Sequence, residues 1–200
     1  MFIKTTVFKK MLNEAYKKGG FTVGNDKGEI FVEGGTWVLR VNEENLPNKE
    51  KAHIIELGGE LPAEGEVYKC QKGEPNQYTI PWNDIWDTGK AFSECELEFG
   101  VTDITLQSPS CPCRVLQEKA TGKCIVMQEL YYSLIDPVQS DRQTETEPEG
   151  PVTHDGRILY WKNNIMSLAL CTMFTDEHPE TEGLLQYLSK IKLWKERTNK

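Results

Sequence analysis

The sequence predicts an α+β fold in which two to four helices pack on a mostly antiparallel β-sheet. Short runs of β-branched and aromatic residues recur along the chain, and glycine-containing turns separate them, as is typical of hairpins. Other segments carry apolar residues at helical spacing. With 200 residues, of which 38% are apolar and 10% aromatic, the chain is long enough to bury one sizeable core.

The amino-terminal half, residues 1–88, is predicted to contain a strand, a helix, a meander and a second helix. Residues 2–6 are predicted to form the short strand, and "FKKMLNEAYKK" then carries an apolar helical stripe that ends at Gly19. Three strands follow in "FTVGNDKGEIFVEGGTWVLRVN", because "NDKG" and "EGG" supply the positive-φ residues of tight turns. The second helix is bounded by Asn48 and Gly58, and the strands "GEVYKC" and "NQYTIP" come after it.

The carboxyl-terminal half, residues 89–200, is predicted to be rich in hairpins. After "CELEFG" and "DITLQS", the strands "CRVLQE" and "KCIVM" flank a turn at Thr121-Gly122, and "GRILYW" and "IMSLALCTMF" flank Asn163-Asn164. The continuous apolar run of the last strand is typical of burial on both faces. A short helix follows residue 127 and an amphipathic helix follows Pro179. No sequence repeat is visible, and we expect the halves to form one compact unit.

Residues 137–155 have a composition unlike the rest of the chain. Together with Asp136 they contain three prolines and six acidic side chains but almost no apolar residue. Such a stretch does not offset its ordering entropy by burying apolar surface. The composition therefore predicts a flexible acidic loop.

The charge and the apolar runs exclude several classes of protein. The longest apolar run, "IMSLALCTMF", is about half of what a membrane span requires, and the amino terminus lacks the pattern of a secretory signal. A net charge of -8 disfavours nonspecific nucleic-acid binding through the whole surface. We therefore expect a cytoplasmic protein that does not bind membranes and whose six cysteines are reduced thiols.

Three of the cysteines lie close together in "SPSCPCRVLQEKATGKCIVM". A structural zinc site usually has four ligands in two C-x-x-C-like pairs, and here there is only the pair Cys111 and Cys113. Cys124, on the opposite strand of the predicted hairpin, would be a third ligand, with His154 or Cys95 as the fourth. The pattern favours cysteines that pack as small apolar residues. We expect no metal and no cofactor, and zinc at Cys111, Cys113 and Cys124 is the alternative.

No residue pattern assigns a catalytic site. The histidines are His53 in a predicted helix, His154 in the acidic loop and His178 in a polar turn, and none is part of a nucleophile elbow or an H-E-x-x-H motif. The chain also lacks a P-loop lysine motif and a G-x-G-x-x-G motif. Catalysis is therefore disfavoured. A cysteine-dependent or zinc-dependent enzyme remains an alternative, since folding is able to bring together a cysteine and a histidine that are distant in sequence.

Two pairs of residues are candidates for a binding surface. Trp82 and Trp86 in "IPWNDIW" are either an anchor for a partner or the lid of a core. Lys10 and Lys17 are seven positions apart, so they lie on nearly the same face of the first helix, where solvated lysines are also common. We therefore expect a non-catalytic binding or accessory protein with a protein partner or self-association.

The order of elements in the first half resembles a known family. The strand, the helix "FKKMLNEAYKKGG", three strands and "NLPNKEKAHIIELGGELP" are similar to the domain plan of DNA polymerase processivity clamps, over about residues 1–80. This resemblance implies, as an alternative function, a DNA-associated subunit whose helix lysines, here Lys10 and Lys17, face the DNA. The chain is shorter than one clamp ring needs, and its charge predicts that DNA binding is at most weak. The opening "FKKMLNEAYKKGGFTVGN" also resembles proteins of bacterial prophages and integrative elements, which implies no activity.

Overall fold

The computed structural model describes residues 1–78, 87–108, 111–136, 145–173 and 179–194. These residues form five α-helices: α1 (Thr5–Lys18), α2 (Asn48–Gly58), α3 (Thr88–Ser93), α4 (Glu129–Tyr132) and α5 (Pro179–Leu188). They also form ten strands: β1 (Phe21–Asp26), β2 (Glu29–Glu33), β3 (Trp37–Asn42), β4 (Val67–Cys70), β5 (Leu97–Gln107), β6 (Pro112–Glu118), β7 (Cys124–Gln128), β8 (Glu149–Thr153), β9 (Ile158–Lys162) and β10 (Met166–Cys171).

The ten strands make one antiparallel sheet, which confirms the predicted α+β fold. Their order is β4-β1-β2-β3-β10-β9-β8-β5-β6-β7. The first meander and the second helix lie where the sequence predicted them. The additional short helix is α3, which begins because the Asp87 side chain accepts a hydrogen bond from the backbone N–H of Lys90 at 2.9 Å.

The strand order contains a repeat that the sequence does not display. The unit β1-β2-β3-α2-β4 places its last strand beside its first, so that the spatial order is β4-β1-β2-β3. The unit β5-β6-β7-α4-β8 has the equivalent order β8-β5-β6-β7. The hairpin β9-β10 joins the units, because β9 pairs with β8 and β10 pairs with β3.

The main core lies on one face of this sheet. It contains side chains of α1 and α2, the segment Met1–Ile3, and inward-facing residues from both predicted halves, such as Leu39 and Leu168. The opposite face carries two smaller clusters. One lies under α3 and contains Val38 and Ala169, and the other lies under α5. Strand β10 contributes to both faces, which confirms the predicted burial of this strand.

Several predicted boundaries are wrong. Helix α1 begins at Thr5, so the predicted strand at 2–6 is reduced to a bridge between Ile3 and Ile135. "CELEFG" and "DITLQS" form the single strand β5, whose pairing with β6 shifts between Val101 and Thr105. Helix α5 ends at Leu188, whereas the spacing of apolar residues as far as Ile191 and Trp194 predicted a longer helix.

The predicted acidic loop includes a strand. Residues 137–144 lie outside the described part of the chain. Residues 149–153, which were predicted to be flexible, form β8 and pair with β5 and β9, so the prediction is wrong there. Neighbouring strands on both sides supply the backbone hydrogen bonds that composition does not reveal. Among the described helices, none has the length and apolarity to cross a bilayer.

Candidate functional site

A cavity of about 450 Å³ opens between the carboxyl end of α1 and the β2-β3 turn. Its charged side chains are Glu14, Lys18, Glu33 and Lys69, and the ring of Trp37 forms part of its wall. Burial raises the pKa of Glu33, and the nearby Lys69 partly opposes this shift. The residues that line the cavity include no serine, cysteine or histidine. The cavity is therefore suited to a polar ligand.

A buried polar network connects α1 and α2. The Asn13 amide nitrogen is 2.9 Å from Nε2 of His53 and also donates to the carbonyl oxygen of Lys9 at 2.8 Å. An amide nitrogen only donates, so Nε2 of His53 accepts and Nδ1 carries the proton that bonds to Glu56 at 2.9 Å. His53 thus links the two helices, and both of its ring nitrogens have structural partners.

The other histidines do not join His53. His154 is exposed, and its ring lies edge-on to Tyr160 with 6.1 Å between ring centroids. His178 lies outside the described residues, as do Trp82 and Trp86. The described part of the chain therefore brings no pair of histidines together.

The Cys111 and Cys113 pair meets a sulfur atom that the sequence analysis missed. Met173 Sδ lies 3.2 Å from Cys113 Sγ and 3.9 Å from Cys111 Sγ. Met173 is far along the chain and sits in an apolar run, so no spacing rule indicates it. Its position depends on the pairing of its backbone with Val126 at the outer edge of β7.

Cys124 does not belong to this sulfur group. In the β6-β7 register Cys113 is opposite Gln128, whereas Cys124 is opposite Gln117. Four residues of strand separate the two positions, which is about 13 Å. The alternative zinc set of Cys111, Cys113 and Cys124 is therefore not assembled, and the described residues contain no group of three or more His, Cys, Asp or Glu side chains placed to hold a metal.

Lys10 and Lys17 are both exposed on α1 and point away from the core that Phe8 and Leu12 enter. Helix α2 packs against α1, so the outer surfaces of the two helices form one layer. The charged residues of α1 are four lysines and one glutamate, Glu14. This helix therefore carries a net charge of about +3 in a chain whose total is -8.

Helix α5 has apolar residues on two sides. Leu185 is buried against Cys124 and Val126. On the outer side, Leu184 and Tyr187 are 42% and 62% exposed, and Ile191, three residues beyond the end of α5, is 47% exposed. They are three of the five large apolar side chains that are exposed in the described structure. We call these three residues the α5 stripe. An apolar stripe on the solvent side of a surface helix is typical of a contact with another protein.

Comparisons of the chain with protein-family models, with curated proteins and with solved structures found no match. Function must therefore be argued from the surfaces and side-chain groups described above. Of these, the α5 stripe and the α1 lysines are exposed surfaces.

Proposed function

We propose that the protein is a non-catalytic binding protein that self-associates through the α5 stripe. The observation that supports this function is the concentration of exposed Leu184, Tyr187 and Ile191 within α5 and the turn that follows it. Scattered apolar residues are normal on a protein surface, whereas a contiguous group favours an interface.

The apolar character of the stripe favours a second copy of the chain as the occupant. Glu182 lies on the inner side of α5, where it lines a cavity with Leu185 and Gln186, so it is not part of the stripe. When two copies pack antiparallel about a twofold axis near Tyr187, the exposed Leu184 and Tyr187 of each copy face those of the other. The pairing is self-complementary in apolar surface, as a twofold interface requires.

The size of the stripe predicts a reversible dimer. Its three side chains expose roughly 300 Å² per copy, if the full area of each is about 180 to 230 Å². A standard interface buries about 800 Å² per partner. We therefore expect weak association, with a dissociation constant on the order of 100 μM or higher.

Sedimentation velocity across a protein concentration series tests this function. The wild-type sedimentation coefficient should rise with concentration towards that of a dimer, and Tyr187→Ser should remain monomeric. Tyr78→Ser is the matched control, because Tyr78 is also about half exposed, at 53%, but lies outside α5. A wild-type protein that is monomeric up to several times the expected dissociation constant, or a Tyr187→Ser variant that dimerises normally, would contradict the proposal.

The second candidate function is that of a clamp-like, DNA-associated subunit. The exposed Lys10 and Lys17 on a helix of net positive charge favour it, since phosphate contacts depend on local basic surface. Fluorescence anisotropy with a labelled duplex, across a salt series, should then show binding that Lys10→Glu with Lys17→Glu abolishes. Lys27→Glu with Lys123→Glu makes the same charge change at exposed positions elsewhere. Equal effects of the two double variants would exclude a dedicated DNA surface on α1.

A further inference from the structure

Three sulfur atoms from two different parts of the fold meet at one end of β6. Cys111 enters the strand, Cys113 lies within it, and Met173 follows β10. Met173 Sδ is 3.2 Å from Cys113 Sγ and 3.9 Å from Cys111 Sγ. Three sulfurs that bind the same ion in a plane, each at about 2.3 Å, lie about 4 Å from one another. The distance from Met173 to Cys111 already matches this value, and the distance from Met173 to Cys113 must lengthen by about 0.8 Å.

The backbone around these sulfurs is fixed by the sheet. Cys113 is paired with Leu106 on one side and with Gln128 on the other. The carbonyl oxygen of Cys111 accepts a hydrogen bond from the N–H of Ser108 at 3.2 Å, and the N–H of Met173 donates to the carbonyl oxygen of Val126 at 2.8 Å. A ligand set held by strands in this way is better ordered than one carried on a free loop.

The site also has a route to solvent. Cys113 is only 3% exposed, but Cys111 and Met173 are partly exposed. Met173 also lines a surface cavity of about 450 Å³ between β7 and α5. An ion is thus able to reach the sulfurs without unfolding of the strand.

We infer that Cys111, Cys113 and Met173 form a three-coordinate site for a soft monovalent metal ion, and specifically for Cu(I). Two thiolates and a thioether are soft ligands, which select Cu(I) over hard cations such as Mg²⁺ and Ca²⁺. Zinc in structural sites takes four ligands of nitrogen, oxygen or anionic sulfur, and a thioether is not among its usual ligands. The described residues place no fourth ligand of that kind in a group with the two cysteines.

Binding exchanges protons for the ion and involves no electron transfer. Each cysteine that binds as a thiolate releases its proton, and the Cu(I) ion enters and leaves in the same oxidation state. Because binding releases protons, the apparent affinity for Cu(I) should rise with pH.

An anaerobic competition titration of the full chain tests the site. Cu(I) is supplied as its acetonitrile complex, and bicinchoninate is the coloured competitor. The wild-type protein should withdraw one Cu(I) per chain, and X-ray absorption should show sulfur ligands alone. Cys113→Ser should lose this uptake. Met173→Leu, which keeps the apolar volume, should weaken binding by more than about tenfold, since one of three ligands is lost.

Two controls distinguish this site from adventitious thiol binding. Cys95→Ser changes a partly buried thiol in a different cluster and should retain one Cu(I) per chain. Circular dichroism of each variant establishes that it is folded. Failure of the wild-type protein to compete, equal affinity of the Met173→Leu variant, or stoichiometric Zn²⁺ uptake measured with a metallochromic indicator would each overturn the inference.

Discussion

Replacement of Gly34 by alanine should strongly destabilise the protein, because the space beside this glycine is filled by the Trp37 indole. A Cβ atom at position 34 would come closer than 3.0 Å to carbon and nitrogen atoms of that ring. Trp37 is 4% exposed and belongs to the main core, so a displacement of its ring disturbs the packing there. The backbone is equally constrained, since the N–H of Gly34 donates to the carbonyl oxygen of Trp37 at 2.9 Å across the turn.

Two contributions set the expected magnitude. Overpacking of a well-filled core costs about 1 to 3 kcal/mol. Displacement of Trp37 would also disturb its edge-on contact with Phe8, whose ring centroid lies 6.0 Å away, and such pairs contribute about 0.5 to 1.5 kcal/mol. We therefore expect the free energy of unfolding to fall by about 2 to 4 kcal/mol. For a chain of 200 residues this corresponds to a decrease in Tm of about 5 to 15 °C.

Urea denaturation followed by far-UV circular dichroism measures this change. Gly183→Ala is the matched control, because no atom lies within 4 Å of the Cβ position there and the residue is in α5. That substitution should stabilise the protein by about 0.5 to 1 kcal/mol, as expected for alanine in a helix.

A double-mutant cycle tests the assigned cause. If the indole is the obstacle, Trp37→Phe provides space, and Gly34→Ala should cost at least about 1 kcal/mol less in that background. A Gly34→Ala variant whose free energy of unfolding is within about 0.5 kcal/mol of the wild type would refute the steric argument. Additive effects of the two substitutions would show that the cost arises elsewhere.

Three further predictions concern the stability of the fold. Arg114→Lys should lower the free energy of unfolding by about 1 to 3 kcal/mol, because lysine does not reproduce the two hydrogen bonds that Arg114 donates to the Glu129 carboxylate at 2.8 and 2.5 Å. Urea denaturation measures this change, and an unchanged midpoint would contradict the prediction. Glu50→Gln should raise the Tm, since Glu50 is 1% exposed and its Oε2 atom has no hydrogen-bond partner in the described structure. A lower Tm of this variant would contradict the prediction. Burial raises the pKa values of Cys95 and Cys113 from 9.0 to about 11, so the folded state holds these protons more tightly; the resulting stability is complete below about pH 9 and is lost as the pH rises to 11. Urea midpoints measured from pH 8 to 11 should therefore decline less steeply when both cysteines are replaced by alanine, and parallel profiles would rule out this linkage.

Local patterns predicted much of the fold. The turn glycines of "NDKG" and "EGG" placed the first meander, and helical spacing placed α1 and α2. Local patterns fail where pairing between strands that are distant in sequence determines the structure. Residues 149–153 are ordered by hydrogen bonds with β5 and β9, and these partners are distant in sequence. The shift of register in β5 likewise follows from its pairing with β6 and has no local signal.

The candidate surfaces and sites were only partly predictable for the same reason. The exposure of Lys10 and Lys17 follows from helical periodicity, so the sequence was sufficient for it. The contact between Met173 and the two cysteines depends on how β7 pairs beyond its edge, and a list of His and Cys spacings does not include methionine. For the α5 stripe, the spacing of apolar residues predicted an amphipathic helix. It did not predict that α5 buries one apolar side and exposes the other.

The repeated strand order shows which surfaces belong to only one of its units. Helix α1, which precedes the first unit, has 14 residues and packs on the main core, whereas α3, which precedes the second, has six and packs on the opposite face of the sheet. The only lysine of α3 is Lys90, and it pairs with Glu94 at 3.9 Å. The basic surface of α1 thus has no counterpart in the second unit. Helix α5 follows the second unit and the joining hairpin. After the first unit, the described residues between β4 and α3 contain no equivalent helix. Within the described residues, a chain therefore presents the basic surface of α1 and the α5 stripe once each, so that only an assembly of copies presents either surface more than once.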